Sequence, residues 1–119
     1  MFPIKIDLKE TEGISIFTVS GRIDQQTYYD FRDKLRSYIS GGKNRIVVDL
    51  SDVEIVSSGG WNTIVNDREY AAKTDGDIKL CCMNKNVKNI FQGMDLHEFI
   101  KAYDTVEEAI KSFKNGNNE

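Results

Sequence analysis

The stretch "RIVVDLSDVEIVSSGGWNTIV", Arg45 to Val65, decides how this chain folds. Arg45 to Leu50 is a short apolar run, suited to a strand covered on both faces. Trp61, Ile64, Val65 and Ala72 recur at helical spacing, so a helix starts near Gly60. Between them lie Ser57, Ser58, Gly59 and Gly60. Serine caps a helix well, because its oxygen accepts from the N–H groups of the first turn. Glycine lets another chain segment approach closely. Strand, tight turn and helix follow in that order, which is one unit of a layered α/β fold.

The flanks extend the pattern. "IKIDLKE" (Ile4 to Glu10) alternates apolar and polar residues and predicts a half-buried strand. Thr11 to Gly13 is a turn signal, and Ile14 to Ser20 a second strand, so the two make an antiparallel hairpin. "GRID" (Gly21 to Asp24) leads into a helix from about Gln26 to Ser40, which Gly41 and Gly42 end. After the central unit come a buried strand over Asp77–Met83 and a helix with Val87, Ile90, Phe91 and Met94 on its apolar stripe. A short strand over Phe99–Tyr103 follows. Asp104 with Glu107 resembles a capping box for a last helix bearing Val106, Ala109, Ile110 and Phe113. The order β-β-α-β-α-β-α-β-α predicts a mixed, mostly parallel sheet of about five strands with about four helices.

Composition narrows the function. The chain has 119 residues, the size of one domain, and we assign 1–114 to it and 115–119 to a disordered tail. A net charge of −3 argues against a general nucleic-acid binder. No apolar run approaches a membrane span, and the N-terminus has charges where a signal peptide needs an apolar core. A cytoplasmic protein without membrane contact is expected.

Several motifs have the residue types that chemistry would need. "SGGKNR" (Ser40 to Arg45) has a Gly-Gly-Lys, but it follows a helix and precedes a strand, the reverse of a phosphate-binding loop. Ser57 or Ser58 as a nucleophile lacks the Gly-x-Ser-x-Gly elbow and a nearby base. The two cysteines, Cys81 and Cys82, are adjacent. On a strand such neighbours point to opposite faces, so a disulfide between them is poor. The lone His97 gives them no zinc spacing. Both read as buried structural thiols, no metal or cofactor is expected, and a reactive thiol is the weakest of the functional readings. Asp24 suits a helix cap or turn, or an exposed carboxylate at the mouth of a site. Trp61 is either core or a half-exposed contact residue.

The turn at Ser57–Gly60 can also carry a phosphate. A helix N-terminus offers free N–H groups and a partial positive charge. A phosphoserine there adds charge at little cost to the fold and would repel a docked partner.

The central stretch resembles the signature of the STAS domain, the fold of bacterial anti-sigma factor antagonists. That family reads roughly Asp-Leu-Ser-x-Val-x-Phe-Ile-Asp-Ser-Ser-Gly-Leu-Gly. Asp49, Leu50, Ser51, Val53, Ser58 and Gly60 match it, with Ile55 and Val56 as apolar substitutes. "VSGRID" (Val19 to Asp24) and "IFQGMDLHEFIKAYDTVEEAI" (Ile90 to Ile110) are similar to its other segments. The resemblance implies a non-enzymatic binding switch. An anti-sigma factor with serine kinase activity would phosphorylate the serine aligned with Ser58, less readily Ser57, and a serine phosphatase would reset it. Asp24 aligns with a docking acid, and the docking segment would comprise Asp24, Ser57, Ser58, Gly59, Gly60, Trp61 and Asn62. The departures are specific. Ser57 replaces an acid, Gly59 a serine, Trp61 an apolar residue and Asn62 a glycine. They leave open a second reading, a STAS scaffold that binds its regulatory partner constitutively.

Overall fold

A computed structural model describes residues 4–114. The elements are β1 (Lys5–Thr11), β2 (Ile14–Ile23), α1 (Tyr28–Ser40), β3 (Arg45–Val56), α2 (Ser58–Ala72), β4 (Asp77–Cys81), α3 (Lys85–Gly93), a 3-10 turn (Leu96–Glu98), β5 (Ala102–Tyr103) and α4 (Val106–Lys114). The strands form one sheet in the order β1-β2-β3-β4-β5. Only β1 with β2 is antiparallel; β2, β3, β4 and β5 run parallel to their neighbours. The predicted mixed sheet and helix order therefore hold. The tail expected at 115–119 lies outside the described residues.

The hairpin closes on Glu12 and Gly13, both with positive φ. That pair of left-handed residues makes the two-residue turn whose twist matches the strands. Each later crossover moves one strand further across the sheet. With one handedness, α1, α2 and α3 then fall on the same face. There Phe31, Leu35, Trp61, Ile64, Val87 and Phe91 close over Phe17, Val19, Val48 and Leu80. Among the described residues α4 alone covers the other face, where Ala109 and Phe113 meet Ile14, Ile16, Val47 and Cys81. Residues one position apart on β2 and β3 thus supply two different cores, which is why both strands are apolar on both sides.

Four strands and one helix cap differ from expectation. β2 continues past Ser20 to Ile23 because Gly21, at φ 106, absorbs one of two register shifts against β3. β3 accordingly runs on from Leu50 to Val56, with Val53 and Val56 buried and Ser51, Asp52, Glu54 and Ile55 exposed. β4 stops at Cys81 because Cys82 turns to φ 64. The last strand shrinks to Ala102–Tyr103, since Leu96 to Phe99 spend their hydrogen bonds in a tight turn. The box on α4 is shifted by one: Glu108 N–H donates to Thr105 Oγ1 at 3.1 Å, and Thr105 N–H to Glu108 Oε1 at 3.3 Å. Asp104 and Glu107 do not form it.

Candidate functional site

β2 and β3 end level. Ile23 is the register partner of Val56, so the residues that follow, Asp24 and Ser57, leave the sheet side by side. The Ser57 N–H donates to the Ile23 carbonyl at 2.7 Å and ties the two exits together. This edge, at the carboxyl ends of parallel strands, is where open α/β sheets offer their crevices.

The two serines have different jobs. Ser57 sits at extended φ −78 and ψ 170, and its Oγ accepts from Gly60 N–H at 3.2 Å. It is the N-cap of α2. The helix thus starts at Ser58, two residues before the predicted Gly60. Ser58 is exposed in the first turn, and Asn62, four residues on, is exposed beside it. The N–H groups of Ser58 and Gly59 have no acceptor within the helix. No acidic residue stands in this first turn. Removing the cap with Ser57→Ala is expected to cost about 1 kcal/mol, whereas Ser57→Asp keeps it. Urea denaturation of the two variants checks this.

The glycines set how closely α2 seats on the strand ends. A Cβ on Gly60 would lie 2.7 Å from Ile23 Cγ2 and 2.8 Å from Val56 Cγ1. Both neighbours are β-branched and stiff. Gly60→Ala is therefore expected to destabilise. Overpacking costs about 1–3 kcal/mol, against which alanine's helix preference recovers at most about 1. A Cβ on Gly59 would touch the Tyr28 ring at 3.1–3.3 Å, a milder conflict. A denaturation midpoint for Gly60→Ala above that of the unaltered chain would contradict the packing described.

Asp24 serves its turn and stays accessible. Its Oδ1 accepts from Gln26 N–H at 2.9 Å and from Thr27 N–H at 3.1 Å. The Gln26 N–H, with Thr27 and the Arg22 guanidinium, holds this carboxyl below the usual carboxylate range. α1 begins at Tyr28, later than the predicted Gln26, so Asp24 closes the turn ahead of the helix instead of capping it. Arg22 also pairs with Glu54 at 2.6 Å on the neighbouring strand.

Trp61 belongs to the core. It is 2 % exposed, with its ring centroid 5.7 Å from that of Phe91. The half-exposed placement is corrected: the first turn of a helix seated on the strand ends points its fourth residue inward. Trp61 floors a cavity of about 250 Å³ whose walls include Ile55, Val56, Val87 and Ile90, with Arg22 and Glu54 at its rim. Ile55 is 36 % and Ile90 44 % exposed. Sequence reading placed Ile90 and Met94 in the buried stripe of α3. Only Val87 and Phe91 are buried in that helix. The signal missed was the width of the stripe, which spans more of α3 than a single sheet face can cover.

The remaining candidates separate from this edge. Gly42, at φ 91, ends α1 as expected of "SGGKNR". Cys81 is buried and Cys82 half-buried. Burial pushes both thiols up, the opposite of an activated nucleophile. His97 lies exposed in the 3-10 turn. Among the described residues no helix is long and apolar enough to cross a membrane.

Comparison with known proteins agrees with this geometry. The STAS domain model matches residues 5–109. A Thermotoga neapolitana protein named as a candidate anti-sigma factor antagonist is 28 % identical over 112 residues, covering 93 % of this chain and 96 % of its own. The crystal structure of an anti-sigma factor antagonist from Mycobacterium paratuberculosis superposes with a TM-score of 0.86 at 21 % identity, over 93 % of this chain and 94 % of that one. The phosphorylated form of the Bacillus cell fate determinant SpoIIAA has the same fold, with a TM-score of 0.71 at 19 % identity over 92 % of this chain and 99 % of that one. With the sheet order, the strand-end serine turn and a family match over nearly its whole length, the chain belongs to the STAS domain family.

Proposed function

We propose that this protein is a phospho-regulated antagonist of an anti-sigma factor and acts by binding, without catalysis. The edge bearing Asp24, Ser58 and Asn62, with the apolar rim of Ile55 and Ile90, docks on an anti-sigma factor that is also a serine kinase. The kinase moves the γ-phosphoryl group of ATP to Ser58 Oγ; ADP and the hydroxyl proton leave. A serine phosphatase hydrolyses the phosphate and restores the docking state.

The observation that carries this reading is the placement of Ser58. It is exposed at the start of a helix whose cap is a different residue, Ser57. A phosphate on Ser58 therefore disturbs no fold-maintaining bond. It meets the positive end of the helix dipole and free N–H groups. It also places about −1.5 to −2 charges in the docking face. The substitution of serine for the family's acid at position 57 fits too. Serine and aspartate cap equally well, so only a charge is lost there.

The test is a reaction with the cognate kinase and ATP, followed by mass spectrometry of the peptides. One phosphate on Ser58 is expected. No phosphate on Ser57 or Ser58 would remove the switch. It would leave the constitutive scaffold, which the uncharged Ser57 and the exposed Ile55 and Ile90 favour. In that case Ser58→Ala would bind the partner as tightly as the unaltered chain.

A further inference from the structure

On the sheet face under α4, the end of β4 carries an arrangement that the docking edge does not use. Asp49 of β3 and Cys81 of β4 are register partners. Asp49 is two residues from Val47, so both lie on the α4 side, where Cys81 packs with Val47 and Phe113. Had the strand continued, Cys82 would point to the opposite face. Instead it takes φ 64. A left-handed backbone at a non-glycine residue costs on the order of 1–3 kcal/mol. Its result is that Cys81 Sγ, Cys82 Sγ and an Asp49 carboxylate oxygen lie within 4.8 Å of one another. Packing accounts for a buried Cys81. Cys82 also packs against the edge of that apolar cluster, but packing alone does not require both thiols to converge on the Asp49 carboxylate.

We infer that Asp49, Cys81 and Cys82 form a binding site for a thiophilic divalent cation of the zinc class. Two sulfur ligands and one carboxylate oxygen are a donor set that zinc takes, leaving a fourth position for water. Zn–S distances of about 2.3 Å place tetrahedral ligand atoms about 3.5–4 Å apart, so the cluster needs to contract by at most about 1.3 Å. The cation supplies the charge that keeps both sulfurs ionised as their protons leave for solvent. The Val106 N–H, at the start of α4, faces Cys82 and adds a second positive pole. A cavity of about 70 Å³ lined by Cys82, Lys88, Tyr103 and Asp104 opens onto the Cys82 side of the cluster. The exposed group Asp95, His97 and Glu98 is a poorer competitor: it lies wholly in solvent and offers no sulfur.

Cadmium is the direct probe, because thiolate–cadmium bonds absorb in the ultraviolet. The full chain, reduced and metal-free, is titrated with Cd²⁺, and Zn²⁺ affinity is then measured by competition with a chromophoric chelator. A thiolate band saturating at one equivalent is expected, as is a higher thermal midpoint with Zn²⁺. Cys82→Ser should abolish most of the band and weaken Zn²⁺ at least about tenfold. Asp49→Asn should weaken Zn²⁺ in the same sense, and it serves if Cys82→Ser fails to fold by circular dichroism. His97→Ala should leave both readouts unchanged. No thiolate band at stoichiometric Cd²⁺ would overturn the site. So would a Zn²⁺ affinity that survives in folded Cys82→Ser and Asp49→Asn.

Discussion

Ser58→Asp is expected to weaken binding to the proposed anti-sigma partner by at least about tenfold, a change of about 1.4 kcal/mol, while the thermal midpoint stays within a few degrees. Two features set the opposite signs of these effects. The side chain is exposed and makes no bond that holds the fold. An acid in the first turn of α2 is, if anything, favourable to the helix. The docking face, by contrast, gains a charge that the partner must desolvate or oppose, and like-charge juxtaposition in an interface costs several kcal/mol. Isothermal titration against the purified partner measures the first effect and thermal denaturation the second. Asn62→Asp, one turn along the same exposed face, should weaken binding in the same direction. Loss of binding with loss of folding would mean that Ser58 holds the turn, a job assigned here to Ser57.

Trp61→Ala is expected to cost about 3–5 kcal/mol, the range for deleting a large buried aromatic. A domain of this size has only about 5–15 kcal/mol to lose. The ring is buried against Phe91, and with Val56 and Val87 it underlies the cavity walled by Ile55 and Ile90. Its loss opens a void beneath the docking edge. Because Trp61 is the one tryptophan in the chain, unfolding of the variant is followed by circular dichroism in urea, not by fluorescence. A loss below about 1 kcal/mol would place the ring at the surface and return it to the contact residues. The expected size also bears on the competing scaffold reading. A fall in partner affinity on Trp61→Ala reports damage to the fold unless stability is measured in the same sample.

Much of this was legible because the chain alternates its apolar periods cleanly. Ile4, Ile6 and Leu8 declare a strand, and Phe31, Leu35 and Ile39 a helix, without help from tertiary context. The parts that were not legible share a cause. Residues Ser51 to Glu54 are mostly polar, so the apolar pattern of β3 stops at Leu50; its extension is fixed by pairing with β2 beyond Gly21, a contact distant in sequence. Ser57 and Ser58 are identical side chains, and only the backbone dihedrals separate the cap from the exposed hydroxyl. Strand alternation puts Cys82 on the far face, and one left-handed residue reverses that. Trp61 and Ile90 each lay at a helical position that pattern alone could place on either side. The sheet face has a fixed width, and that width buried the first and left the second at the rim.

The most direct measurement is the affinity of one partner for one protein in two states. The chain is titrated with its anti-sigma partner in a calorimeter, first unmodified, then stoichiometrically phosphorylated at Ser58, at the same salt concentration. Tight one-to-one binding of the unmodified form and at least a tenfold weaker signal from the phosphorylated form are predicted. Equal affinity of the two forms would contradict a switch at Ser58.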